Sequence, residues 1–150
     1  NFKFIQKMNG KIQSGECTVE YPKKIFCKYN DKNNKILVSN GKSLIITSDR
    51  HINYTRYNIK KTPLNIILDK KFLLSEIKKS NHIDLTKNTL IMNFFYENNE
   101  ITIFFDRKNF DIKGWKILDI YQNVVETKIS DIKKNLIIND KLFDYRNYVN

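Results

Sequence analysis

Apolar residues in this chain mostly alternate with polar ones, and Asn-Gly dipeptides interrupt the alternation. That combination favours antiparallel hairpins over any helical arrangement. Phe2 and Phe4 alternate towards Met8, and Asn9-Gly10 follows. Asn-Gly between alternating segments is a strong hairpin signal, because both central turn positions must tolerate φ > 0. Cys17, Val19 and Tyr21 then share one face of a strand, Pro22-Lys23 turns the chain, and Ile25, Cys27 and Tyr29 return on the same face. A polar loop at 31–34 precedes Ile36-Leu37-Val38, which Asn40-Gly41 reverses into Leu44-Ile45-Ile46, and residues 52–59 alternate again through Tyr54 and Tyr57. Later strands are expected at 90–96, after a tight turn at Asn98-Asn99 at 101–105, and at 115–120 and 125–129, with final apolar segments at 136–138 and 142–143.

The alternation breaks once, at Thr62-Pro63. Thr62 is expected to cap a helix and Pro63 to occupy its first turn. Leu64, Ile67 and Leu68 then lie on one helical face, and residues 72–77 extend it or form a second short helix. Helices this short need a partner surface. With 150 residues the chain has the size of one domain, 1–150. The expectation is a mainly β fold of about ten strands in up-and-down order: a curved antiparallel sheet or partly open barrel with helix over one side. Four Gly and two Pro imply short loops.

Net charge is +11 with a pI near 9.6, which brings nucleic acid and anionic membrane into consideration. The lysines come as scattered pairs such as Lys23-Lys24, Lys70-Lys71 and Lys133-Lys134, with acidic residues between them. A solvated basic surface is the simpler reading. No apolar run approaches the length of a membrane span. The chain opens at Asn1, already in a strand pattern, which implies that a signal peptide and further upstream sequence have been removed.

Catalytic signals are sparse. His51 and His82 are the only histidines, without a metal-ligand pattern around them, and read as surface or turn residues. Nucleophile-elbow and phosphate-loop motifs are missing, and Glu97 and Glu100 read as solvated residues flanking a turn. The sequence implies neither an enzyme nor a cofactor. If Pro22-Lys23 pairs Tyr21 with Ile25, then Cys17 faces Tyr29 and Val19 faces Cys27. The cysteines are then diagonal neighbours at the limit of disulfide geometry, and buried apolar thiols are the default. In Phe94-Phe95-Tyr96 and Phe104-Phe105 adjacent rings point to opposite faces, so both faces of these strands are expected to be covered. The surplus of apolar lining for a thin sheet points to an internal apolar groove.

Several segments together resemble the LolA family of periplasmic lipoprotein carriers. They are Phe4-Ile5-Gln6-Lys7, Ser14-Gly15-Glu16 and Tyr21-Pro22. Closer still is Lys35-Ile36-Leu37-Val38-Ser39-Asn40-Gly41-Lys42-Ser43-Leu44, which is similar to the family's ILVSDGKTL. Thr62-Pro63-Leu64 and Gly114-Trp115-Lys116-Ile117-Leu118-Asp119 follow in order, with Leu142-Phe143 at the end. The resemblance implies an unclosed antiparallel β-barrel with short α-helices as a lid over its concave mouth. It also implies a monomeric periplasmic carrier of acylated lipoproteins in a Gram-negative bacterium. Such a carrier is loaded by an inner-membrane ABC transporter and unloaded at an outer-membrane acceptor or at the outer membrane itself, with no reaction and no nucleic acid.

By the same resemblance, Cys17, Val19, Tyr21, Ile25, Cys27, Tyr29 and Leu37 line the cavity, and Leu64, Ile67 and Leu68 form the lid face. Leu90, Met92, Phe94, Ile101 and Ile103 are added from their alternation. The family arginine before the proline, which ties the lid, is Tyr21 here, and the family's early-strand tryptophan is Cys27. The first lid helix of the family falls upstream of Asn1. Two rival readings are a basic β-sheet nucleic-acid binder and a same-fold lipid or glycolipid binder that carries no lipoprotein.

Overall fold

The computed structural model describes residues 1–48, 53–79, 84–119 and 121–149. His51, His82, Ile52 and Ile120 lie outside the described residues. Strands are β1 (Phe2–Met8), β2 (Lys11–Glu20), β3 (Lys24–Tyr29), β4 (Ile36–Asn40), β5 (Ser43–Ser48) and β6 (Asn53–Asn58). After the helices come β7 (Asp84–Leu85), β8 (Thr89–Tyr96), β9 (Asn99–Asp106), β10 (Ile112–Leu118) and β11 (Val124–Ser130). They form one antiparallel sheet in the order β6-β5-β4-β3-β2-β1-β11-β10-β9-β8-β7. The expected meander is present, but its first and last strands pair in the middle, from Lys3–Ser130 to Met8–Val125. The two open edges are therefore β6 and β7, and the barrel is not closed. Helices α1 (Leu64–Ile67) and α2 (Lys70–Lys79) belong to the connection between those edges.

Local chemistry accounts for most turns. Asn9 and Gly10 both have positive φ, giving the expected two-residue hairpin. The β4–β5 turn is looser: Gly41 has positive φ, while the Asn40 side chain accepts from the backbone N–H groups of Lys42 and Ser43. The β8–β9 turn falls one residue earlier than expected, at Glu97-Asn98, because Tyr96 pairs with Asn99.

Two glycines set close approaches. Gly15 pairs with Phe4 on one side and Tyr29 on the other, and a Cβ there would collide with the Lys28 carbonyl and the Phe4 ring. Its bare Cα lets those rings meet across β2, with centroids 5.0 Å apart and planes at 73°. Gly114 follows a register shift in β10, where a side chain would strike the Thr127 carbonyl, so the bulge needs glycine.

The concave face carries the main core, divided between two clusters under the helices. A third cluster lies on the convex face, where Phe26, Ile36, Val38 and Ile45 meet Tyr145, Tyr148 and Val149 of the C-terminal segment. Phe143, 2% exposed, belongs to the same segment and lies 5.7 Å from the Lys24 ammonium. The expectation that both faces of the aromatic strands are covered is corrected at β8, where Phe95 is 82% exposed. The C-terminal segment clasps β3–β5 and leaves β8 bare. Loops are also not uniformly short: 131–139 is an irregular, mostly exposed strap, and its apolar 136–138 stretch is not a strand. Among the described residues no helix is long and apolar enough to cross a membrane.

Candidate functional site

The site is built from the lid and the concave surface beneath it. The lid begins with a 3-10 turn at Ile59–Lys61, where Ile59 is buried and its N–H donates to the Lys42 carbonyl. Thr62 does not cap α1 as expected. Its hydroxyl donates to the Ile59 carbonyl at 2.9 Å and closes the preceding turn, while Pro63 starts α1. In α2 the cap is Asp69, whose Oδ1 accepts from the Phe72 N–H at 3.0 Å.

Two latches hold the lid. On one side the Lys23 N–H donates to the Leu68 carbonyl at 3.0 Å, and the Lys23 ammonium lies 3.8 Å from Asp69. On the other, the Tyr96 hydroxyl donates to the Lys60 carbonyl at 2.6 Å and accepts from Asn65 Nδ2 at 2.8 Å. Lys23, two residues beyond Tyr21, thus forms the tie at the β2–β3 turn. Sequence reasoning passed over Lys23 because a lysine in a turn has no pattern to distinguish it. Its positive φ, which the short turn imposes, aims its N–H at the lid.

The lid is packed down. Ile66, Ile67, Leu68 and Leu73 are buried, and Leu64 is half-buried against both concave clusters. Of the residues expected to line a groove, Cys17, Ile25, Cys27 and Tyr29 are buried with Leu68, and Leu37 and Val19 are half-buried beside them. Leu90, Met92, Ile101 and Ile103 are buried against Ile66, Ile67 and Leu73, with Phe94 partly buried and its ring 6.2 Å from Phe72. All of these form the surface that the lid covers.

Space remains at one end. A cavity of about 350 Å³ lies where the lid, β1, β2, β9, β10 and the strap converge. Of the expected residues, Val19, Tyr21, Ile67 and Leu68 line it. Phe2, Leu73, Phe105 and Trp115 line it too, and these four were not foreseen. Phe2 and Phe105 follow the same alternation as the residues that were chosen. Trp115 sits beyond the β10 bulge, where counting by twos loses the face.

The cysteine reading is corrected. Val19 pairs with Ile25 and Glu20 with Lys24, so the turn is Tyr21-Pro22-Lys23, one residue earlier than a Tyr21–Ile25 pairing requires. The register is two residues from that expected, and it brings Cys17 directly opposite Cys27. They form a disulfide with Cα atoms 4.1 Å apart. It lies in the floor of the concave face, both residues being at most 5% exposed.

The opposite end is polar. The Lys35 ammonium lies 4.1 Å from the centroid of the Tyr29 ring and 3.4 Å from Gln13 Oε1. Burial pushes this lysine below its ordinary range against the pull of nearby Asp31, and burial, helped by Asp31, pushes the Tyr29 hydroxyl up to about 12. Among the described residues no group of three or more His, Cys, Asp or Glu side chains is placed to hold a metal ion.

The architecture is an unclosed antiparallel half-barrel with a latched helical lid over an apolar concave face. The family model for the outer membrane lipoprotein carrier protein LolA matches residues 2–146, and the chain belongs to that family. No curated protein matches this chain. Among solved structures, a LolA superfamily protein from Nitrosomonas europaea, NE2245, is similar at 8% identity and a TM-score of 0.48, over 95% of this chain and 89% of the other. PNGF-II, in its C2 crystal form, is similar at 13% identity and a TM-score of 0.40, over 95% of this chain and 29% of the other. Likenesses this loose do not bear on function.

Proposed function

We propose that this protein is a periplasmic carrier that holds the acyl chains of lipoproteins beneath its lid and transfers them without a chemical step. The observation that carries the reading is the apolar cavity of about 350 Å³, lined by lid, sheet and strap and continuous with the surface the lid covers. The energetics suit exchange. Four buried lid side chains contribute about 1.5–3 kcal/mol each, and each buried acyl methylene about 0.8 kcal/mol. One long acyl chain is therefore comparable in free energy with the lid packing it displaces, so loading and release stay near balance. The disulfide agrees with an oxidising compartment. Acylated lipoproteins, a releasing ABC transporter in the inner membrane and an outer-membrane acceptor are the partners this reading requires.

A nucleic-acid role has less support. The bare ring of Phe95 pairs across the sheet with Glu100, and Phe104 is half-buried with the Lys116 ammonium 5.6 Å away, which is not the row of bare rings a base-stacking platform needs. The test is fluorescence of an environment-sensitive apolar probe. Enhancement that a diacylated lipopeptide reverses is expected. Failure to bind the probe, together with salt-sensitive binding of single-stranded oligonucleotides, would replace this reading with the other.

A further inference from the structure

Large apolar side chains are exposed at scattered single positions on the convex face, such as Ile5, Ile12 and Phe95, and these need no special account. The mouth of the cavity is different. Tyr21, Phe110, Ile132 and Leu136 all line it and are 42–45% exposed, and Ile137, next along the strap, is fully exposed at 105%. Lysines share the same rim: Lys70 of the lid and Lys133 and Lys134 of the strap. The strap is pinned and not free. The Lys133 N–H donates to the Asn1 carbonyl at 2.8 Å, Lys134 pairs with Asp111, and Asp131 pairs with Lys3. An exposed isoleucine beside two lysines, held at the opening of an apolar cavity, combines the two features that dock a protein to lipid. The apolar tip enters the boundary between headgroups and acyl chains, and ammonium groups meet phosphates.

We propose that residues 131–138 and the adjoining rim are a docking surface for an anionic lipid bilayer, which places the cavity mouth directly against the membrane. This rests on the carrier reading for its purpose but not for its evidence. Docked this way, an acyl chain passes between bilayer and cavity with little exposure to water, and the lid lysine Lys70 sits where it meets the same headgroups. A bilayer accommodates both features, the lysines at its headgroups and Ile137 at the edge of its acyl region.

The test is co-sedimentation of the whole protein with vesicles of phosphatidylethanolamine and phosphatidylglycerol, against vesicles of phosphatidylcholine alone. Binding to the anionic vesicles is expected. Ile137→Asp should weaken it by about tenfold, and so should the double change Lys70→Glu with Lys133→Glu, which leaves the Lys134–Asp111 pair that pins the strap in place. Because Ile137 is fully exposed, Ile137→Asp should leave the fold and apolar-probe binding unchanged. Equal binding to both vesicle types, no binding to either, or variants that bind like the parent would overturn the proposal; the last result would assign the attraction to the overall charge of +11. Probe uptake without vesicle binding would sink this inference alone, and vesicle binding without probe uptake would sink the carrier reading alone.

Discussion

The two wings of the sheet, β1–β6 and β7–β11, cover similar apolar surfaces in different ways. The first is braced three times. The Cys17–Cys27 disulfide cross-links its concave floor, the C-terminal segment packs on its convex side, and the Lys23 latch ties it to the lid. The second has no cross-link among its described residues, carries a bulge at β10, and leaves Phe95 in water on its outer face. Its core depends on Ile66, Ile67 and Leu73 from the lid. Lid movement therefore uncovers more of the second wing's support than of the first's. The first wing is the more firmly braced half, and the second is the half whose packing depends more on the lid.

The contrast can be broken at several points. The largest effect is expected from Phe143→Ala, which empties a site 2% exposed on the convex side of the first wing and should cost about 3–5 kcal/mol in denaturant unfolding. A loss under 1 kcal/mol would mean that the C-terminal segment does not brace that wing. Removing the disulfide with Cys17→Ser and Cys27→Ser should cost roughly 2–4 kcal/mol. The same unfolding assay, run with and without reductant on the parent, should reproduce the difference.

A third test uses pH. The Tyr29 hydroxyl is raised to about 12 in the fold from an ordinary value near 10, so its stabilising contribution is complete below pH 10 and is lost as pH rises from 10 to 12. Lys35, pushed down from 10.5, acts with the opposite slope but only below pH 10.5. Above pH 10.5 Tyr29 contributes a loss on the order of 2 kcal/mol. Tyr21, Tyr148, Lys3 and Lys24 are also raised and add to it, so Tyr29→Phe should shrink the loss and not abolish it. Asp69→Ala should cost about 1 kcal/mol by removing the α2 cap and the Lys23 ion pair together. Amide exchange should then quicken in α1 and α2 and in β8–β9 while β2–β3 stays protected; equal quickening in both wings would erase the distinction. The smallest effect is Phe95→Ser, expected within 0.5 kcal/mol of the parent.

Much of this architecture could be read from alternation. The hairpin at Asn9-Gly10, the pairing of β8 with β9 and the helical break at Thr62-Pro63 all follow from local residue chemistry. What local pattern does not carry is the residue at which a turn starts. The cysteines illustrate this: a turn that starts one residue earlier, at Tyr21, moves Cys17 from opposite Tyr29 to opposite Cys27. Pairing of β1 with β11 joins residues over a hundred positions apart, and no local signal encodes it. At the site, alternation found residues on the concave face but could not tell which remain open beside the cavity and which the lid fills. That depends on where Ile66, Ile67, Leu68 and Leu73 come to rest. Lys23 and Tyr96 act as latches through backbone carbonyls of the lid, partners invisible until the chain is folded.

The account rests on the concave face accepting acyl chains in place of the lid. The most direct measurement is mass spectrometry of material that copurifies with the protein from its native host, coupled with loading of purified diacylated lipopeptide onto the emptied protein. The account predicts bound lipoprotein or acyl lipid, and one-to-one lipopeptide loading that exposes the amides of α1 and α2 to exchange. Recovery of no acylated species, together with failure to load the lipopeptide, would contradict it.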